Sequence, residues 1–174
     1  MSQTLDTTAA AERPVPTTLA EFAACPENDL EIVAAWAGPA IDEATGRLRE
    51  PLRTRHVIAT SSGWPRPGAE EAAIELNEVI LKELYVRDGL LAVTLAISQE
   101  CWGSTRSLSI WRDEAALEGF VRCAPHMKAV RRTRELMFQW QGTQWESDET
   151  VELPTFADAR AHLAAERRAT ITKE

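Results

Sequence analysis

Two alternating runs, separated by one turn and flanked on both sides by helical patterns, constrain this chain more than any other feature. Leu91, Val93, Leu95 and Ile97 alternate with Ala92, Thr94, Ala96 and Ser98; the turn Cys101-Trp102-Gly103-Ser104 then leads into Thr105–Trp111. Period-two alternation marks strands, and their adjacency predicts a hairpin. Upstream, Ala73, Leu76, Ile80 and Leu84 form the apolar stripe of a helix over Glu70–Arg87, with Glu75, Glu78 and Lys82 on its wetter side. Downstream, Asp113 can cap a short helix over Glu114–Arg122, and Pro125 suits the first turn of a second segment, His126–Arg134. Outer strands are predicted at Thr54–Ser62 and Leu136–Trp145. Residues 63–68, with two prolines and two glycines, are expected to be loop.

The order is therefore β-α-β-β-α-β, the ferredoxin-like split βαβ arrangement of an α+β fold. Right-handed crossovers place both helical layers on one face of a four-stranded antiparallel sheet. The other face, bearing several tryptophans, needs cover. A second copy of the sheet is expected to supply it, giving a homodimer with a cavity between sheet and helices in each subunit. Residues 1–52 read as an N-terminal arm with an extra strand at Leu30–Ala37, residues 53–168 as the domain, closed by a helix over Thr155–Arg168, and 169–174 as a tail.

Composition narrows the function classes. A net charge of -8 over 174 residues argues against nucleic acid, despite the cluster Arg131, Arg132 and Arg134. No run approaches the eighteen apolar residues of a membrane span, and the start lacks a basic-then-apolar leader. A cytoplasmic protein is expected, with Cys25, Cys101 and Cys123 as reduced thiols. Dinucleotide and phosphate-loop glycine patterns are absent, as is the nucleophile elbow of α/β hydrolases. Cys123 and His126 have a spacing seen in metal sites, yet a structural zinc needs four ligands, so no metal is expected.

His126 is the leading candidate for acid/base chemistry. It aligns with Val130 and Thr133 on the predicted sheet-facing side of its helix, where an imidazole can take a proton from a phenolic or enolisable group. His56 shares a strand face with Ile58, Thr60, Ser62 and Trp64 and is expected to meet His126 across the cavity. Arg106, on a face with Leu108 and Ile110, can hold a carboxylate or enolate oxygen, and Tyr85 can donate to a substrate oxygen. His162 reads as surface. Trp64, Trp102, Trp111 and Trp140 are candidate walls for a planar ligand.

The run Ser109-Ile110-Trp111-Arg112-Asp113-Glu114-Ala115-Ala116-Leu117, with Phe120-Val121 and Pro125-His126, resembles the dimeric α/β-barrel superfamily of antibiotic-biosynthesis monooxygenases. The segment Leu153–Ala159 is similar to a tail in some of its branches. This resemblance implies a small-molecule biosynthetic enzyme acting on an aromatic or polyketide-type substrate without a cofactor. The same superfamily includes haem-degrading enzymes, and spheroidene-monooxygenase-like proteins share a comparable segment; they imply the alternative of haem on His126. Olivetolic acid cyclase, another member, has a general-base histidine after a similar proline-containing segment, which His126 resembles by position; its tyrosine partner has no counterpart around Ala116–Gly119. A non-catalytic ligand-binding dimer is the remaining alternative.

Overall fold

In the computed structural model, which describes residues 14–171, the chain runs α1 (Leu19–Ala24), β1 (Glu31–Ala37), β2 (Ile41–Asp42), β3 (Arg47–Leu48), β4 (His56–Pro65), α2 (Glu70–Tyr85), β5 (Leu90–Ser98), β6 (Ser104–Trp111), α3 (Glu114–Val121), α4 (Ala124–Leu136), β7 (Met137–Ser147) and α5 (Phe156–Ile171). The main sheet has the order β1-β5-β6-β4-β7, with every neighbouring pair antiparallel. Without β1 this is the split βαβ order, with α2 and the α3–α4 pair as crossovers. Local chemistry supports the breaks. Asp113 accepts a 2.8 Å bond from the Ala116 amide and starts α3. Gly89, at φ 84, lets β5 begin so close to α3 that a Cβ there would lie 2.4 Å from Ala116 Cβ.

One expectation about segments changes and another is met. Gly63, Trp64 and Pro65 continue β4 instead of forming loop, pairing with Trp140, Gln139 and Met137 of β7. Pro65 is tolerated because it is the strand's last residue, at a register shift where the ladder ends. The Leu30–Ala37 strand appears as β1 and joins the edge of the sheet at β5. The tail beyond residue 171 lies outside the described residues, as do residues 1–13.

Each sheet face has its own core. On the helix side, Val57, Leu90, Val93 and Trp111 pack with Leu84 of α2 and with Leu117 and Phe120 of α3. On the outer side, Ile58, Ala92, Leu108 and Ile110 pack with Ile41 of β2 and Ala159 of α5, extended by Trp36, Trp145 and Phe156. Phe22 of α1 lies 5.4 Å from the ring of Trp64 on that same side. The face expected to need a second copy is therefore covered by the chain's own arm and last helix.

What holds the cover down is ionic as well as apolar. Glu27, between α1 and β1, is buried and accepts from Ser104 Oγ at 2.7 Å, from Arg106 Nε at 2.8 and 3.0 Å, and from Arg160 Nη1 at 3.1 Å. Arg160 of α5 also donates to the carbonyls of Pro26 and Cys25, at 2.7 and 2.9 Å. One carboxylate thus ties the arm, β6 and α5 together. Beside it, Cys25 and Cys101 form a disulfide that links the end of α1 to the β5–β6 turn; Cys123 is free. This corrects the expectation of three reduced thiols. Among the described residues, no helix is long and apolar enough to cross a membrane.

Two measurements check this closure. Titration of the unreduced, denatured chain should find one reactive thiol; three would show that the bond does not form. Glu27→Gln should lower unfolding stability in urea by about 3–5 kcal/mol, because it strips a buried guanidinium of its counter-charge. A loss below about 1 kcal/mol would contradict the role given to Glu27.

Candidate active site

Between the helices and the sheet lies a cavity of about 250 Å³. Its walls are Ile80, Leu81 and Leu84 of α2 together with Leu117, Phe120 and Val121 of α3. Its floor is the helix-side face of the sheet, where alternation presents Ala59 and Ser61 of β4, Val93 and Leu95 of β5, and Ser107 and Ser109 of β6. Three polar groups stand out against this apolar lining.

The first is His126, in the opening turn of α4, its ring 4.5 Å from that of Phe120. Its Nδ1 lies 2.8 Å from the carbonyl oxygen of Val121. A carbonyl only accepts, so Nδ1 carries the hydrogen, and in the neutral ring Nε2 holds the lone pair. The turn between α3 and α4 thereby sets the tautomer that a general base requires. Pro125 helps by occupying the first turn of α4, where a missing amide hydrogen costs nothing.

The second group is the hydroxyl pair Ser61 and Ser107, whose oxygens are 2.6 Å apart across the β4–β6 ladder. One hydroxyl hydrogen is used within the pair. The other remains available to a guest. The third is Asn77 of α2, whose Nδ2 is buried and has no hydrogen-bond partner among the described residues. An unfilled buried donor beside a cavity is a ready partner for an oxygen. Sequence reading found His126 but passed over Ser61, Ser107 and Asn77. The signals were present: Ser107 and Ser109 are two apart on one strand face, and Asn77 interrupts the helical stripe between Ala73 and Ile80.

The other predicted site residues lie elsewhere. His56 is on the outer face, with Nδ1 2.7 Å from the Thr54 carbonyl and Nε2 2.8 Å from Thr150 Oγ1. Both nitrogens are engaged, and the sheet separates it from His126. Arg106 shares that outer face and is bound to Glu27; burial pushes its pKa down, partly offset by the bond to that carboxylate. Tyr85 is 45% exposed at the end of α2 and does not line the cavity. Trp64 is fully buried on the outer face, with the Arg106 guanidinium 5.3 Å from its ring, and Trp102 packs edge-on against Phe22. Trp111 is core under the helices, donating Nε1 to Ser109 Oγ at 2.9 Å, and Trp140 is largely exposed on β7. His162 is exposed and stacks on Trp145 at 3.9 Å. His126 alone of the predicted catalytic and ligand-binding residues lines the cavity. Among the described residues, no three histidine, cysteine or acidic side chains gather as a metal site.

No protein-family model matches the sequence, and no curated protein does. Solved structures do match in fold. A candidate antibiotic biosynthesis monooxygenase from Deinococcus radiodurans superposes with a TM-score of 0.52 at 15% identity, over 57% of this chain and 99% of that one. A candidate monooxygenase from Fusobacterium nucleatum gives 0.52 at 12% identity, over 72% of this chain and 50% of that one. Protein SO0527 from Shewanella oneidensis gives 0.51 at 13% identity, over 56% and 95%. Nearly the whole of the first and third of these proteins is thus matched by little more than half of this chain. The chain shares the ferredoxin-like α+β fold of these solved structures.

Proposed function

We propose that this protein is a monooxygenase-like enzyme acting on a small phenolic or enolic aromatic substrate, with His126 as its general base. The observation that carries the reading is the Val121 carbonyl on His126 Nδ1, which leaves Nε2 free as the base in a ring that lines the cavity. The fold, shared with candidate monooxygenases, is in keeping with it. Size bounds the substrate. A cavity of about 150 Å³ holds benzene, so 250 Å³ suits one or two rings and not an extended polycycle.

In the proposed reaction Nε2 removes a phenolic or enolic proton, and charge grows on the substrate oxygen. Asn77 Nδ2 and the free hydroxyl hydrogen of the Ser61–Ser107 pair donate to that oxygen and stabilise the anion. The electron-rich ring carbon then meets dioxygen. One oxygen atom ends as a ring carbonyl, and the other leaves as water with the two hydrogens that the substrate loses. The resemblance of His126 by position to the general-base histidine of olivetolic acid cyclase favours a second reading, aldol-type cyclisation, in which a substrate carbanion attacks an internal carbonyl and no oxidant is consumed.

Haem on His126 has less support. The cavity is smaller than the roughly 300–1,000 Å³ usual for a drug-sized ligand, and the macrocycle is larger than most such ligands. Titration with hemin should therefore give no Soret band that depends on His126; a band lost in His126→Ala would reverse this.

With dihydroxynaphthalenes as probes, the wild-type chain should consume oxygen, and His126→Ala should slow this by about 100-fold or more while remaining folded. Asn77→Leu should lower kcat by about 100-fold with KM little changed. With a linear poly-β-ketone as probe, cyclisation would show as aromatic product and released water without oxygen uptake. Turnover kept in His126→Ala, or tight binding with no turnover of any probe, would overturn the enzymatic reading, the latter in favour of a binding protein.

A further inference from the structure

A second cavity, of about 140 Å³, lies on the opposite side of the sheet, under α5. Arg106 of β6, Gln141 of β7, and Arg160 and Arg167 of α5 line it, with Ala23 and Leu163 among its apolar neighbours. The guanidinium of Arg106 is almost wholly buried. Its Nε is used by Glu27, while Nη1 has no partner among the described residues. Gln141 accepts from Arg167 Nη1 at 2.6 Å, and its own Nε2 is likewise buried without a partner. Two idle donors on residues lining one small cavity are unusual, because buried polar groups are nearly always satisfied.

Charge narrows what can satisfy them. Arg106 and Arg160 both line the space and, among the described residues, share the one carboxylate of Glu27. Glu27 already accepts from Ser104, Arg106 and Arg160. Water could fill the donors but would leave one positive charge of that Arg106–Glu27–Arg160 group unmatched. Planar guanidiniums favour oxyanions, which accept several such bonds at once. At about 30 Å³ per water the cavity has room for roughly four to five water-sized groups, and a phosphate or sulfate has five heavy atoms. We propose that this cavity binds a tetrahedral oxyanion, phosphate or sulfate, free or as the end group of a small molecule, between Arg106, Gln141 and the arginines of α5. The ion would complete the polar seam that fastens α5 to the sheet.

The test uses the full chain, with inorganic phosphate followed by calorimetry and by phosphorus NMR, and chloride at matched ionic strength as control. Arg106→Gln would leave Glu27 short of a partner and is expected to compromise folding, so the decisive variant is Gln141→Leu with Arg167→Gln. Saturable phosphate binding in the millimolar range or tighter, with a matching rise in unfolding temperature, is expected in the wild type. The double variant should bind at least about tenfold more weakly while keeping its far-ultraviolet circular dichroism. Phenyl phosphate binding as tightly as phosphate would assign the site to an organic end group; exclusion of phenyl phosphate would assign it to the free ion. No saturable binding, or equal binding by the double variant, would overturn the proposal and leave the cavity to water.

Discussion

The bond between Glu27 and Arg106 is the interaction on which the arrangement of this molecule turns. A guanidinium on the inner part of a sheet is expensive to bury, and the expense is met by a carboxylate from a different part of the chain. Glu27 reaches it from a backbone in the left-handed region, φ 53, which side chains other than glycine seldom adopt. Such a conformation persists only where its surroundings over-determine it. Here the surroundings are Ser104, Arg106, Arg160 and the neighbouring disulfide at Cys25. With Glu27 in place, the arm and α5 lie over the outer face, and the sheet is covered on both sides by one chain.

That closure divides the work between the faces. The outer face takes Ile58, Leu108 and Ile110, the buried Trp64 and the ion cluster, packed beneath the arm and α5. The helix-side face has small residues along its centre, Ala59, Ser61, Ser107 and Ser109, and small residues leave room. The cavity exists because the helices rest on Trp111 and Phe120 towards one end of the sheet while the serines beside them fill little volume. His126 is aimed by the turn that joins α3 to α4. Shape, tautomer and idle donors on this face come from separate local features that meet only after folding.

Much of this was legible in the chain. The alternations at 91–98 and 105–111, the Asp113 cap and the proline at 125 fix the split βαβ order from local rules alone. Parity also placed His56 and Arg106 correctly within their strands, whereas Trp64, expected in a loop, continues β4. It could not say which face carried the helices, because here both faces are apolar and both are covered. Arg106 looked like a ligand for substrate because its partner, Glu27, lies 79 residues away in an arm without strong periodicity. The same separation hid the disulfide, whose halves are 76 residues apart. Tryptophans misled for a related reason: their size suits pockets and cores equally, and most of those here serve as core.

The central claim is that a flat organic guest without a charged end group enters on the helix side, beside His126. Crystals soaked with 2-naphthol test it most directly. The account predicts density for the rings between α2 and the sheet, with the hydroxyl oxygen within hydrogen-bond distance of His126 Nε2 and near Asn77 or Ser107. Density on the outer face, under α5, or an ordered His126 turned away from a cavity that stays empty, would contradict it.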